Sequence, residues 1–183
     1  MHPRVQPPTF DEIFAEMKDF ELSNCLSGAV EKHYGYHALM AWPEHIPLEH
    51  RVVNYVWSTT GYLECEGFAR FFNLRCRHSA FPECLEYIGL PEMAGEIRKT
   101  LNDFPIDALG DTESIIKHFG SWEKLEEAVD EVESKLYRAS DSIQKAHAHY
   151  VREHKAAFET LLPEIRLQNS YLEFIKRRTR RRS

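Results

Sequence analysis

The sequence predicts an all-α protein, a single compact domain of about eight to ten helices in an orthogonal or irregular array. Apolar residues recur at three- and four-residue spacing along most of the chain, and no segment alternates as a half-buried strand does. Signals for helix starts and ends follow one another at short intervals. The chain has 183 residues, 43% of them hydrophobic, which suits one domain with a substantial core. No apolar run approaches the roughly 18 residues of a membrane span.

Residues 1–47 are predicted to form N-terminal helices that pack on the core. Thr9 and Glu12 stand at capping-box spacing, so the first helix should start at Thr9. Its apolar stripe comprises Phe10, Ile13, Phe14 and Met17. The segment 23–42 predicts a short helix broken near Gly35, and "WPEHIP" predicts a loop.

Residues 48–160 are predicted to form the main helical body. A helix resumes at Leu48, with one face made by Val52, Val53, Val56 and Trp57, and Gly61 indicates a break or a tight approach. The next helix is expected over 62–73, with Gly67 in its interior. Gly89 should close a following short helix and Pro91 should open another.

The second half of this body begins with a short helix between Asp111 and Gly120. Ser121 then caps a helix whose inward face is Leu125, Val129, Val132 and Leu136, and a further helix is expected over 137–160. Residues 161–183 are predicted to form a C-terminal helix, from about 164 to 175, followed by a basic tail.

Charge is distributed unevenly along the chain. The net charge is −6, yet without the six cations of the tail 17 basic residues face 29 acidic ones, a net of −12. An acidic body attracts basic partners, whereas the tail attracts acidic ones. The tail could bind nucleic acid or a membrane surface, fold back on the acidic body, or pair with the acidic face of a neighbouring copy in a homo-oligomer, unless it is a disordered end that keeps the protein in solution. Its cations, called here the tail cations, are Lys176, Arg177, Arg178, Arg180, Arg181 and Arg182.

Three stretches resemble a known bacterial family. "GYLECEGFARFFN" and "CLEYIGLPEMAGEIRKTLNDFP", together with "HYVREHKAAF", resemble the domain at the C-terminal part of a DNA-mimic protein, which also occurs in many bacterial proteins of unknown function. The resemblance covers roughly residues 48–158 and implies an all-helical fold and a protein partner. Glu66 and Arg70 depart from the glycine and glutamine of the family pattern. The matching motif includes Gly67, Phe68, Phe71, Phe72, Asn73 and Gly89.

The most acidic stretch is "WEKLEEAVDEVESKL", which has carboxylates opposite its apolar stripe. On a helix they span about 15 Å, or roughly one charge per 2.5 Å. Duplex DNA carries one charge per about 1.7 Å of its axis. This face is therefore a candidate partner-binding surface that stands in for a row of phosphates, unless it is an ordinary solvated helix face. Its members are Glu123, Glu126, Glu127, Asp130, Glu131 and Glu133.

A second hypothesis is a metal-dependent hydrolase that uses His147, His149 and His154 with nearby carboxylates. Against it, no HExxH arrangement and no cysteine pair at metal-ligand spacing is present, and exposed helix histidines would explain the pattern. No catalytic residue, cofactor or metal is assigned from the sequence. The four cysteines follow no disulfide spacing, which indicates reduced thiols and a cytoplasmic protein.

The leading interpretation combines the charge pattern with the resemblance. The chain is predicted to be a protein-interaction module, a DNA mimic whose acidic helical face occupies the DNA-binding surface of a transcription regulator. Nucleic acid would bind only through the tail, and no membrane is involved.

Overall fold

A computed structural model describes residues 9–105 and 109–169, and in these ranges the regular elements are all helices, with no strand. The predicted all-α class is confirmed. The helices are α1 (Phe10–Glu16), α2 (Asp19–Tyr34), α3 (Tyr36–Met40), α4 (Leu48–Glu66), α5 (Phe68–Phe71), α6 (Ala80–Tyr87), α7 (Pro91–Asn102), α8 (Thr112–Phe119) and α9 (Trp122–Glu153), followed by a 3-10 helix (Lys155–Leu161). Residues 162–169 are again helical.

Most predicted helix ends are confirmed by their capping geometry. The amide of Glu12 donates to the Thr9 hydroxyl at 3.2 Å, and the Thr9 amide donates to the Glu12 carboxylate at 2.7 Å, which completes the capping box. Gly35 separates α2 from α3 with φ of 87°. Such a φ is accessible to glycine without steric cost, which explains the break at this residue.

The region between α6 and α9 also follows its local signals. Gly89, just past α6, has φ of 85°, and Pro91 is the first residue of α7. Asp111 caps α8 through the Glu113 amide, and Gly120 ends it in the left-handed conformation. The Ser121 side chain accepts from the Lys124 amide and so starts α9.

The predicted break at Gly61 and the predicted helix over 62–73 are wrong. Helix α4 runs through Gly61 without interruption and ends at Glu66. Gly67, with φ of 83° and ψ of 164°, is the residue that breaks the chain, and the four-residue α5 follows it. Gly61 keeps helical backbone angles and therefore does not interrupt α4. Gly67 adopts backbone angles that residues with a Cβ avoid, and α4 ends before it.

The predicted helix boundary at residue 137 is also wrong, because α9 is one helix of 32 residues. It contains no glycine or proline, and its buried residues keep helical spacing from Leu125 through Leu136 and Ile143 to Val151. The last predicted helix is present over 162–169, and the remainder of that helix and the tail cations lie outside the described residues.

The long helix α9 forms the axis of the fold. It packs against α2, α4, α5, α7 and α8, and α4 packs in turn against α2 and α6. A group of phenylalanines from α5, α6 and the loop after α7 fills one end of the core: Phe68, Phe71, Phe72, Phe81 and Phe104. No helix in the described part of the chain is both long and apolar enough to cross a membrane.

Candidate interaction face

The acidic side of α9 near its N-terminus is the candidate interaction face. Glu123, Glu126, Glu127 and Asp130 lie at spacings of three, one and three residues, and all four are exposed. Helical geometry places such residues on one side of the helix, away from the buried Leu125 and Val129. We call these four carboxylates the acidic face. They span roughly 10 Å, about one charge per 3 Å of helix axis.

Within the described ranges, little neutralises the acidic face. Glu126 accepts a hydrogen bond from the indole N–H of Trp122 at 2.7 Å, a contact that fixes the carboxylate without cancelling its charge. Hydrogen bonds from its own amide and from the Ser121 side chain lower the pKa of Glu123, so this carboxylate is ionised at neutral pH. No described cation pairs with Glu123, Glu127 or Asp130. The face therefore presents a net charge of about −4 to a partner.

The other two predicted members of the surface have partners within the fold. Glu131 forms an ion pair with Lys135 at 2.8 Å, and this lysine also reaches Glu96 at 2.7 Å. The lysine lowers the pKa of Glu131. The ion pair with Lys135 reduces the negative charge that Glu131 offers to a partner.

Glu133 has a structural contact that the sequence does not reveal. Its carboxylate accepts the amide N–H of Phe68 at 2.9 Å, and it lies against Gly67, where a Cβ would sit 3.4 Å from a carboxylate oxygen. The side chain of Glu133 thus satisfies the first amide of α5 at the break after α4. The partner lies 65 residues away in sequence, so no local pattern reports it.

The histidine cluster does not form a metal site. His147 is fully buried, with Nδ1 2.8 Å from the Ser23 hydroxyl and Nε2 2.9 Å from the Val53 carbonyl, so both nitrogens are occupied. The interpretation of the cluster as exposed histidines is wrong for this residue. His149 is exposed and pairs with Glu153 at 3.2 Å, and His154 packs on Tyr150. Among the residues that are described, no three His, Cys, Asp or Glu side chains could hold an ion.

The family motif residues serve the core. Phe68, Phe71 and Phe72 are fully buried, and Gly67 makes the break that lets α5 turn into the core. Asn73 is half-buried directly after them. The motif therefore accounts for the fold rather than for a surface that meets a partner.

An open groove lies between α4 and α9, and no pattern in the sequence predicts it. Trp57, assigned from the sequence to an inward helix face, lines this groove together with Phe20 and Tyr137. Phe20 and Tyr137 are 57% and 50% exposed. Helical periodicity identified the side on which Trp57 lies, but the space left there by neighbouring helices depends on tertiary packing.

Comparison with known proteins supports the predicted resemblance. Neither curated proteins nor solved structures gave a match. The family model described as DMP19-like protein matches residues 44–154, more than half of the chain, from the residues before α4 to the end of α9. The matched region includes the core motif and the acidic face, and the chain belongs to the DMP19-like family, the DNA-mimic family that its sequence resembles.

Proposed function

We propose that this protein is an interaction module that occupies the DNA-binding surface of a transcription regulator through the acidic face of α9. The observation that carries the proposal is the row formed by Glu123, Glu126, Glu127 and Asp130, exposed and without described cation partners. Family membership supports a protein partner of this kind. The arginines and lysines that normally contact phosphates would meet these carboxylates instead.

The rigidity of the face favours this role. The face lies on the first turns of a 32-residue helix that is capped by Ser121 and anchored in the core through Leu125, Val129 and Val132. Carboxylates on a fixed helix lose less freedom on binding than those on a loop. Their charge also speeds association with a basic surface.

The test is co-purification from the native cell with the full chain as bait, at low salt. The recovered protein should bind DNA, and the wild-type chain should compete with that DNA. A variant carrying Glu123→Gln, Glu126→Gln, Glu127→Gln and Asp130→Asn should lose most of this competition. Binding to the wild type should fall roughly tenfold or more between 50 and 300 mM salt, because screening shortens the reach of charges.

A matched control removes the same charge elsewhere. Glu16, Glu44, Glu92 and Glu159 are exposed and lie outside the acidic face, so their replacement by Gln should leave competition unchanged. An equal loss of competition in both variants would mean that only the net charge of the protein matters and that the position of the carboxylates does not. A partner that does not bind DNA, or that is held equally well at both salt concentrations, would contradict the proposal.

The cysteines support a cytoplasmic location. All four are free thiols, and Cys25 and Cys84 are buried. Unpaired thiols are typical of proteins in a reducing compartment. We infer that the protein acts in the cytoplasm, where a transcription regulator of a bacterium would be found.

A further inference from the structure

An apolar groove runs along the seam between α4 and α9. It extends from Phe20 and Trp57 at one end to Phe68 and Tyr137 at the other, with Ile143 on its floor. The rings of Phe20 and Trp57 meet edge to face, with centroids 5.2 Å apart, and Phe20 remains 57% exposed. At the midpoint, Gly61 is exposed and has no atom within 4 Å of where a Cβ would lie. The groove is therefore open to an additional segment of chain.

The groove leads directly to the acidic face. Along α9, residues that share one side of the helix recur at spacings of four and three. At the C-terminal end this row borders the groove, and at the N-terminal end it is acidic. A segment lying along the row would contact aromatic rings first and carboxylates afterwards. The row comprises Gln144, Ser140, Tyr137, Glu133, Asp130 and Glu126.

The end of this chain has a matching order of residues. Tyr171, Leu172, Phe174 and Ile175 come first, and the six tail cations follow within the next seven residues. Apolar side chains would thus meet the groove and the cations would meet the carboxylates. Both apolar burial and charge complementarity favour this alignment and disfavour its reverse.

The described chain ends close to the groove. The Cys25 thiol donates to the Ile165 carbonyl at 3.5 Å, so the segment before residue 169 runs beside α2. The Gln168 side chain lies against Gly28 of α2, and Phe20, eight residues earlier in this helix, lines the groove. A path of about 12 Å along α2 and then about 27 Å along α9 to Glu126 totals roughly 40 Å. Fourteen extended residues span about 46–50 Å, which is enough, so docking requires residues 170–175 to be extended rather than helical as predicted above.

We propose that residues 170–183 dock on the same chain, with Phe174 and Ile175 in the groove and the arginines that follow on the acidic face. The tail would then cover the face until a more basic partner displaces it. Docking needs no partner, so its failure would leave the proposed function untouched.

Crosslinking of the full chain tests this docking. Lys176 is the only amine in the tail, and seven extended residues place it about 24 Å along this path, level with Tyr137, which shares the groove lining with Glu64 and Glu133. A zero-length carbodiimide reagent should therefore join Lys176 to Glu64, or to Glu133 one step further along. A mixture of ¹⁴N- and ¹⁵N-labelled protein should give crosslinked peptides of unmixed isotope composition. Isotopically mixed peptides would assign the groove to a second copy and overturn docking within one chain.

Two glycine variants test whether the tail occupies the groove: one blocks the groove, and the other is a control on a different helix. Gly61→Arg fills the groove with a cation, and Gly95→Arg places the same side chain on α7, where a Cβ likewise meets no atom within 4 Å. The Lys176 crosslink should fall at least fivefold in the first variant and stay unchanged in the second, with circular dichroism showing both folded. Equal crosslinking in both variants, or no crosslink above the level seen in 1 M salt, would overturn the proposal.

Discussion

At the scale of single residues, His147 shows how the core accommodates a polar ring. The Val53 carbonyl can only accept, so Nε2 carries the proton and Nδ1 accepts from the Ser23 hydroxyl. One side chain thereby links α2, α4 and α9. Burial lowers the pKa of His147 to about 4, because a charged ring would be desolvated.

This pKa has a consequence for stability in acid. The folded-state pKa lies below the unfolded value near 6.5, so the stabilisation is complete above pH 6.5 and is lost as the pH falls towards 4. We expect the free energy of unfolding to drop by about 2 kcal/mol between pH 7 and pH 5 from this residue alone. Urea titrations at the two pH values measure the drop. His147→Gln should lessen the drop by that amount, and the buried His50 and His78, whose pKa values burial also lowers, should contribute to what remains.

The two glycines of the α4–α5 region should respond oppositely to alanine. Gly61→Ala should stabilise the protein by about 0.5–1 kcal/mol, since it lies inside a helix with open space around it. Gly67→Ala should destabilise it by about 1–3 kcal/mol, because φ of 83° with ψ of 164° is strained for an L-residue. Thermal or urea unfolding of both variants checks this. Effects of the same sign would contradict the assignment of the break to Gly67.

At the scale of elements, the short helix α5 depends on α9. Its first amide, on Phe68, has its acceptor in Glu133, which projects from another helix. A four-residue helix cannot satisfy its own terminal amides, and this one leads three buried phenylalanines into the core. Glu133 therefore differs in role from the exposed carboxylates beside it, because its contact stabilises the start of α5.

Substitution of two nearby glutamates tests this separation. Glu133→Ala should cost about 1–2 kcal/mol, as the loss of a helix-capping acceptor does. Glu131→Ala removes an exposed ion pair with Lys135 and should change the free energy of unfolding by no more than about 0.5 kcal/mol. Chemical denaturation compares the two. Similar costs would mean that the contact with Phe68 contributes nothing.

The elements that could be predicted from sequence are those whose ends are set locally. Thr9, Asp111 and Ser121 cap their helices through residues two or three positions away, and Gly120 ends α8 by its own conformation. The predicted boundary at 137 was wrong because α9 packs against several neighbours and remains anchored at Leu136 and Ile143, contacts that no local signal reports. Whether a glycine breaks a helix also depended on packing that the sequence does not show.

At the scale of the whole molecule, the candidate site was predictable in part for the same reason. Four carboxylates at helical spacing opposite a buried stripe are visible in the sequence, and the structure places them on one exposed face. The role of Glu133 and the burial of His147 depend on contacts 65 and 94 or more residues away. The groove depends on how three helices meet. The charge pattern of the helix could therefore be predicted from the sequence, whereas the long-range contacts could not.

The separation of a basic tail from an acidic body leads to the last prediction, which concerns both proposals. If the tail covers the acidic face about nine-tenths of the time, the apparent affinity for a basic partner is lowered about tenfold. Replacing the six tail cations by Gln should then tighten binding to the regulator by about that factor at low salt. The gain should shrink as salt increases, because screening weakens the docked tail itself. Competition of the wild-type and substituted chains with the regulator's DNA measures the difference. Weaker binding of the substituted chain would instead show that the tail contacts the partner, since a tail that only covers the face cannot help the partner to bind.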